Sequence, residues 1–353
     1  MSPTRPPSLT HPAEIEKEIQ RQIAAISASR TKASLLNLVI FRQAFSRDPS
    51  AEALSYLLGR RPARLILIES GVDSPSEAFV SARCHPEPKN LELCFQEIRI
   101  QDGPDGVGRD PGFWSPLLIR DIPVYVWWLQ GAGLLPERMS GLASLTDRFM
   151  VHSGFAEERG EDPADTLREL ALRVRPEGLP CSDFSWLRLH PLRLNTARLF
   201  DPPSARNLLA EIRSVRLQGG RRAESLLYFL WLAARLGWTP RRREEGALDA
   251  RDVRGNRVRF LHERPGALEA GFSLQIETGG GERLGFECSG GVAASVPSCG
   301  RLSGPEGRTE HVGFRIPSPG EALLREVDSH VPDPLFQEVL DLFATTAFQG
   351  GDT

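Results

Sequence analysis

Residues 65–68 and 124–128 are apolar at every successive position. A half-exposed strand alternates, so an unbroken apolar run of strand length belongs in a sheet covered on both faces. Strand-length segments lie at residues 37–41, 64–69, 79–84, 93–100, 124–129 and 148–152. Between the first two, Asp48-Pro49 opens a helical stretch that runs to Leu58. Strands interleaved with helix predict an α/β domain, three-layer-like, with a mixed or parallel sheet. Ahead of it come a polar, proline-rich arm at residues 1–12, expected to be disordered, and a helix over 13–29. In that helix Ile15, Ile19, Ile23 and Ile26 form an amphipathic stripe. The stripe either docks on the body of the protein or pairs with a partner helix.

Helices are expected at 163–174 and 183–200, and Asp201-Pro202-Pro203 then breaks the chain. Beyond it the pattern changes. A strand over 208–217 and a helix over 223–238, apolar almost all round, precede four alternating runs. These are Val258/Phe260, Phe272/Leu274/Ile276, Leu284/Phe286/Cys288 and Val312/Phe314/Ile316, with Gly279-Gly280-Gly281 as a hairpin signal. Helices at 319–328 and 334–348 close the chain. The expected organisation is an α/β domain over 13–200 and an α+β domain, mainly antiparallel, over 201–353.

A length of 353 residues fits two cores. The net charge of -3 gives no global reason to expect nucleic acid or an anionic membrane. The most apolar stretch, 117–135, is broken by Arg120, Asp121 and Pro123, so no bilayer span is expected. Five scattered cysteines and a polar N-terminus without a signal-peptide pattern predict a cytoplasmic protein. Neither a zinc-type Cys/His spacing, a phosphate-binding glycine loop nor a nucleophile elbow occurs, and no metal or cofactor is expected. Residues 213–264 hold thirteen arginines against six acids, including Arg241, Arg242 and Arg243. Such a segment reads either as a solvated surface or as a face for an acidic protein partner. Trp127 and Trp128 end a buried run, as core residues or as an interface anchor.

Several blocks, in order, carry a resemblance. Thr31-Lys32-Ala33-Ser34-Leu35-Leu36-Asn37-Leu38-Val39 is followed by Arg61-Pro62-Ala63-Arg64 and by Cys94-Phe95-Gln96-Glu97-Ile98-Arg99-Ile100. Asp121-Ile122-Pro123-Val124 leads into Trp127-Trp128, then Asp147-Arg148, Asp183-Phe184-Ser185-Trp186-Leu187-Arg188-Leu189, Phe200-Asp201 and Gly237-Trp238. Together, over roughly residues 31–240, they resemble the glucose-6-phosphate dehydrogenase assembly protein family (OpcA). Three departures stand out: Gln96 and Glu97 are exchanged relative to the family pattern, Leu129-Gln130-Gly131 replaces the usual Pro-Gly, and His152 replaces an Asp. The resemblance implies a protein that is not an enzyme, that binds glucose-6-phosphate dehydrogenase, promotes its active oligomer, and serves the NADPH-supplying oxidative pentose phosphate route. It implies motif positions at Asn37, Arg61, Arg64, Glu97, Arg99, Asp147, Arg148, Trp186, Arg188, Asp201 and Trp238. Redox control through cysteines in some members makes Cys84 and Cys94 candidate thiols. The partner-binding candidates are Trp127, Trp128, Arg241, Arg242 and Arg243. The competing class is a sugar-phosphate-binding enzyme or sensor with an arginine-rich site.

Overall fold

The computed structural model describes residues 8–10, 14–26, 34–43, 50–71, 76–87, 91–104, 106–136, 139–242, 248–263, 265–289, 298–303, 309–329 and 331–346. Two compact units form: Met1–Val151 with Val174–Cys181 and Leu323–His330, and His152–Arg173 with Ser182–Ala322 and Val331–Thr353.

The first unit is built on strands β1 (Ser8–Thr10), β2 (Leu36–Gln43), β3 (Ala63–Ser70), β4 (Glu77–Glu87), β5 (Leu91–Asp102), β6 (Val124–Trp128), β7 (Arg148–Val151) and β8 (Cys181–Asp183). Helices α1 (Ile15–Ile26) and α2 (Ala51–Leu58) and the one-turn helices α3 (Pro111–Trp114) and α4 (Ser140–Ala143) accompany them. The sheet runs β1-β4-β5-β3-β2-β6-β7-β8. Strands β5, β3, β2, β6 and β7 are parallel neighbours, while β4 and β1 are antiparallel additions. Residues of β2 and β3 point alternately to two covered faces, and nearly all of both strands are buried. Helix α1 lays Ile15 and Ile19 on the body of the unit at β4. There the Gln22 amide donates to Val80 O at 3.1 Å and accepts from Ala82 N at 3.2 Å, so a side chain extends the backbone ladder. The arm expected to be disordered contains β1, which pairs with β4.

The second unit contains α5 (Gly154–Glu158), α6 (Pro163–Glu169), α7 (Phe184–Arg188), α8 (His190–Leu199), α9 (Pro203–Arg206), β9 (Ile212–Gln218) and α10 (Arg222–Leu236). Strands β10 (Thr239–Arg242), β11 (Leu248–Arg251), β12 (Arg257–Glu263), β13 (Gly271–Thr278), β14 (Arg283–Ser289), β15 (Ser298–Ser303) and β16 (Thr309–Phe314) follow. Helices α11 (Pro319–Asp328), divided between the units, and α12 (Pro334–Thr345) end the chain. The sheet order is β10-β11-β12-β9-β13-β14-β15-β16, antiparallel except at β12–β9. Helix α10 packs against α5, α6, α7 and α12, which is why it is apolar almost all round. Both units are therefore α/β in composition with mixed sheets, the second mainly antiparallel. The break at Asp201-Pro202 falls inside the second unit: α7 and α8, placed before it, pack on α10, β14 and β15. The contact boundary lies at Val151/His152 instead of residue 201. Among the described residues no helix is long and apolar enough to cross a membrane.

Candidate functional site

The order β5-β3-β2-β6-β7-β8 is that of a doubly wound dinucleotide-binding sheet, with its switch point between β2 and β6. Ligands of such sheets sit outside the carboxyl ends of the strands at that point. Here the described side chains at the strand ends pair with one another. Arg42, at the end of β2 and only 5% exposed, is ion-paired with Glu69 at the end of β3, and its Nη1 reaches Ser50 Oγ at 3.4 Å. Gln130, just past β6, donates through Nε2 to Ser70 Oγ at 2.9 Å and to Arg42 O at 3.3 Å. Ser70 donates in turn to Asp102 at 3.3 Å, and Asp102 holds Arg109 at 2.8 Å. The sequence between Arg42 and Ser50 contains no glycine, the residue type a pyrophosphate-binding turn requires.

A groove of about 440 Å³ lies between α2 and the sheet, lined by Leu54 of α2 and by Leu65, Leu67 and Phe95 of the strands. Glu97 and Arg99 on β5 line it and pair with each other at 3.1 Å, both partly exposed.

The remaining motif residues brace the fold. Asn37 exchanges two 2.9 Å hydrogen bonds with the backbone of Ile119. Arg64, buried, donates to Gln96 Oε1 at 2.6 Å, to Leu117 O at 2.7 Å and to Glu16 at 3.0 Å. The exchange of Gln96 and Glu97 thus has a structural answer: a neutral amide meets Arg64 at position 96, and α1 supplies the carboxylate. Burial raises the Glu16 pKa, but the Gln20 hydrogen bond and the Arg64 charge outweigh it and hold the group below its usual value. Arg61 makes a bidentate pair with Asp328, both bonds 2.9 Å. Asp147 accepts from Val124 N at 2.7 Å, and Arg148 forms a buried pair with Glu326 of α11. In the second unit Trp186 donates to Asp333 at 2.8 Å while the Arg193 guanidinium stacks on its ring at 3.6 Å. Arg188 pairs with buried Glu224 at 3.2 Å. Trp238 is buried and Asp201 is exposed.

His152, Ser153, Asp183 and Ser185 form one further buried cluster. Asp183 caps α7 through Ser185 N at 2.8 Å and accepts from Ser153 N at 3.4 Å. Burial pushes its pKa up to about 6, against the hydrogen bonds of Ser153 and Ser185. The His152 ring packs on Phe155 and Phe184. Burial, then the charges of Arg188, Arg221 and Arg159, hold its pKa well below the usual value, which favours the neutral imidazole. This His takes the place of a family Asp in an apolar pocket beside buried Asp183, where a neutral side chain avoids a second buried negative charge.

Two family models match the chain in succession, the "Glucose-6-phosphate dehydrogenase subunit N-terminal domain" over residues 55–171 and the "C-terminal domain" of the same subunit over 179–340. The chain belongs to the OpcA family of glucose-6-phosphate dehydrogenase assembly proteins. An OxPP cycle protein OpcA of Synechocystis sp. is 31% identical over 186 residues, 51% of this chain and 38% of that protein. The Nostoc punctiforme OpcA is 29% identical over 219 residues, 60% of this chain and 45% of that one. The matched part thus spans less than half the length of these relatives. An oxidoreductase from Bacillus cereus covers 90% of this chain and 98% of its own length at 10% identity, with a TM-score of 0.43, too distant to bear on function.

In this OpcA-family chain the other candidates fall in different places. Trp127 and Trp128 are both in the core of the first unit, Trp128 stacking between Phe41 and Phe149. Strand β6 is covered on both faces, so neither indole reaches a surface, and the interface-anchor reading gives way to core packing. Arg241 is exposed on β10; Arg242 is on the same strand, its side chain outside the described residues, as is all of Arg243. Cys84 and Cys94 are register partners across β4 and β5, and their side chains lie outside the described residues. Sequence reasoning missed Arg42, Glu69 and Gln130, which only their shared place at the ends of neighbouring strands brings together.

Proposed function

We propose that this chain is a non-catalytic factor that binds glucose-6-phosphate dehydrogenase and favours its active oligomer in the oxidative pentose phosphate cycle. Family membership supports the partner, since the matching models describe a subunit of that dehydrogenase. The observation that carries the non-catalytic part is the Arg42–Glu69–Gln130 network: the place where a doubly wound sheet holds a nucleotide is taken by side chains already paired with one another. A factor without chemistry acts through differential affinity for two states of its partner. A preference of about 3 kcal/mol shifts such an equilibrium roughly 150-fold.

The test mixes the full chain with the cognate dehydrogenase and follows sedimentation and initial NADPH production together. Oligomer and rate should rise in parallel. Turnover of a sugar phosphate by the chain alone, or an unmoved subunit equilibrium, would sink the reading.

A further inference from the structure

Among the described residues, helices cover one side of the second sheet. Helices α8 and α10 contact β10, β12, β14 and β15, and the side chains turned toward them, such as Val215, Leu217, Val258, Phe260, Leu274 and Ile276, are buried. The opposite side chains on the same strands are exposed or half-buried, and eight strands about 4.8 Å apart make a platform roughly 34 Å wide.

Strand register orders the charges on that platform. One row crosses six strands as Arg241, Asp249, Arg259, Ser214, Glu277 and Arg283. At its β10–β12 end Arg251 lies directly opposite Arg257, a like-charge pairing that costs stability unless something else compensates. Among the described residues compensation is partial. Asp249, buried, pairs with Arg257 at 2.9 Å, and Arg251 donates to Gly255 O at 2.7 Å. Arg241 and Arg259 make no ion pair with another described residue. Farther along, the charges balance: Arg216 holds Glu263 at 2.9 Å and Arg283 holds Glu277 at 3.0 Å. Among the described residues the excess of positive charge therefore lies at the β10–β12 end of this face.

We propose that this face, at its β10–β12 end, docks an acidic patch on a protein surface; under the function proposed above, on which the partner's identity rests, that surface belongs to the dehydrogenase. Carboxylates of a partner supply counter-charges to Arg241, Arg251 and Arg259, which have no ion pair among the described residues. A polyphosphate fits less well. Glu263, Glu277 and Glu287 share the face and repel a continuous anion, and the face's described residues offer no exposed aromatic for a base to stack on.

The test compares the full-length wild type with Arg241→Glu/Arg251→Glu/Arg259→Glu and with a control of equal charge change at exposed positions elsewhere, Arg120→Glu/Arg206→Glu/Arg325→Glu. Binding to the immobilised dehydrogenase, to poly-L-glutamate and to duplex DNA is measured across a salt series, with melting curves to confirm folding. The face variant should bind the dehydrogenase at least about tenfold more weakly, through slower association, with a flatter salt dependence, and the control within about twofold of wild type. Equal binding by wild type and face variant overturns the surface while leaving the proposed function standing. If wild type ignores the dehydrogenase, the function falls, and poly-L-glutamate decides the surface: retention lost in the face variant keeps it, equal retention overturns it. Duplex DNA bound more tightly than either protein probe overturns the acidic-protein partner.

Discussion

Asp183→Asn should make the protein more stable at neutral pH. Asp183 is fully buried, and its pKa of about 6 against an unfolded value near 3.8 means that the charged form is disfavoured in the fold. About two pH units correspond to roughly 3 kcal/mol at pH 7, an upper figure that already includes the hydrogen bonds from Ser153 and Ser185. Asparagine keeps the acceptor that caps α7 at Ser185 N and removes the charge. Its amide NH2 needs a new partner, and the Ser153 hydroxyl, which already faces the Asp183 carboxylate, can turn to accept from it. A poor bond there costs about 1–2 kcal/mol, leaving a net gain of about 1–2 kcal/mol. The sign with pH follows from proton binding. Between pH 3.8 and 6 folded Asp183 binds more protons than the unfolded residue, so its penalty appears as pH rises through this window. The advantage of the Asn variant should therefore shrink as pH falls from 7 toward 4.5. Neutral His152 acts in the opposite direction in both proteins: its depressed pKa costs stability as pH drops below about 6.5, when the unfolded imidazole takes a proton first. Without the Asp183 relief, the variant's acid limb should be steeper. Urea unfolding from pH 4.5 to 7.5, followed by amide exchange in the second unit, measures this. A variant less stable than wild type by a pH-independent amount refutes the argument.

Three further outcomes are expected. Glu326→Ala leaves Arg148 buried without its carboxylate and should destabilise the first unit by about 3–5 kcal/mol, whereas Arg148→Met/Glu326→Leu should recover most of the loss; denaturant midpoints of the two variants decide it. Gly285→Ala places a Cβ 2.2 Å from Leu274 O in the neighbouring strand and should cost several kcal/mol or block folding, read from soluble yield and melting temperature. Asp333→Ala removes the acceptor of the Trp186 indole and should lower stability by about 1–3 kcal/mol with a shift in tryptophan emission; an unchanged spectrum would contradict the 2.8 Å bond.

Most of the fold was legible because its strands are apolar or alternate. The runs at 64–69 and 124–129 became β3 and β6 within a residue or two, and Gly279-Gly280-Gly281 does join β13 to β14. What escaped was structure held by backbone pairing without an apolar pattern. β1, β10, β11 and β15 carry Ser, Thr, Arg or Gly where a pattern needs Val or Ile, and neighbouring ladders order them. The helix expected over 183–200 is two, because Pro191 cannot continue α7 and starts α8 instead. The strand expected from 208 begins at Ile212, after a tight turn over Asn207–Glu211. The crevice residues were invisible for another reason. Arg42, Glu69 and Gln130 are far apart in the chain, and nothing short of the strand order makes them neighbours.

That difference separates two kinds of arginine. Arg42, Arg64, Arg148 and Arg188 are buried and paired within the chain. Against apolar replacements such pairs roughly break even in stability, while loss of one partner is costly. Their value therefore lies in fixing one geometry, and a change there reaches a partner only by altering shape. Arg241, Arg251 and Arg259 are exposed, and none has an ion pair among the described residues. A factor that works by preferring one state of its partner needs both: a platform rigid enough to tell the states apart, and charges that add attraction without reshaping it. Substitution of a braced arginine should lower melting temperature and binding together. Charge reversal on the face should lower binding alone, and a face variant that loses both would place those arginines with the braces.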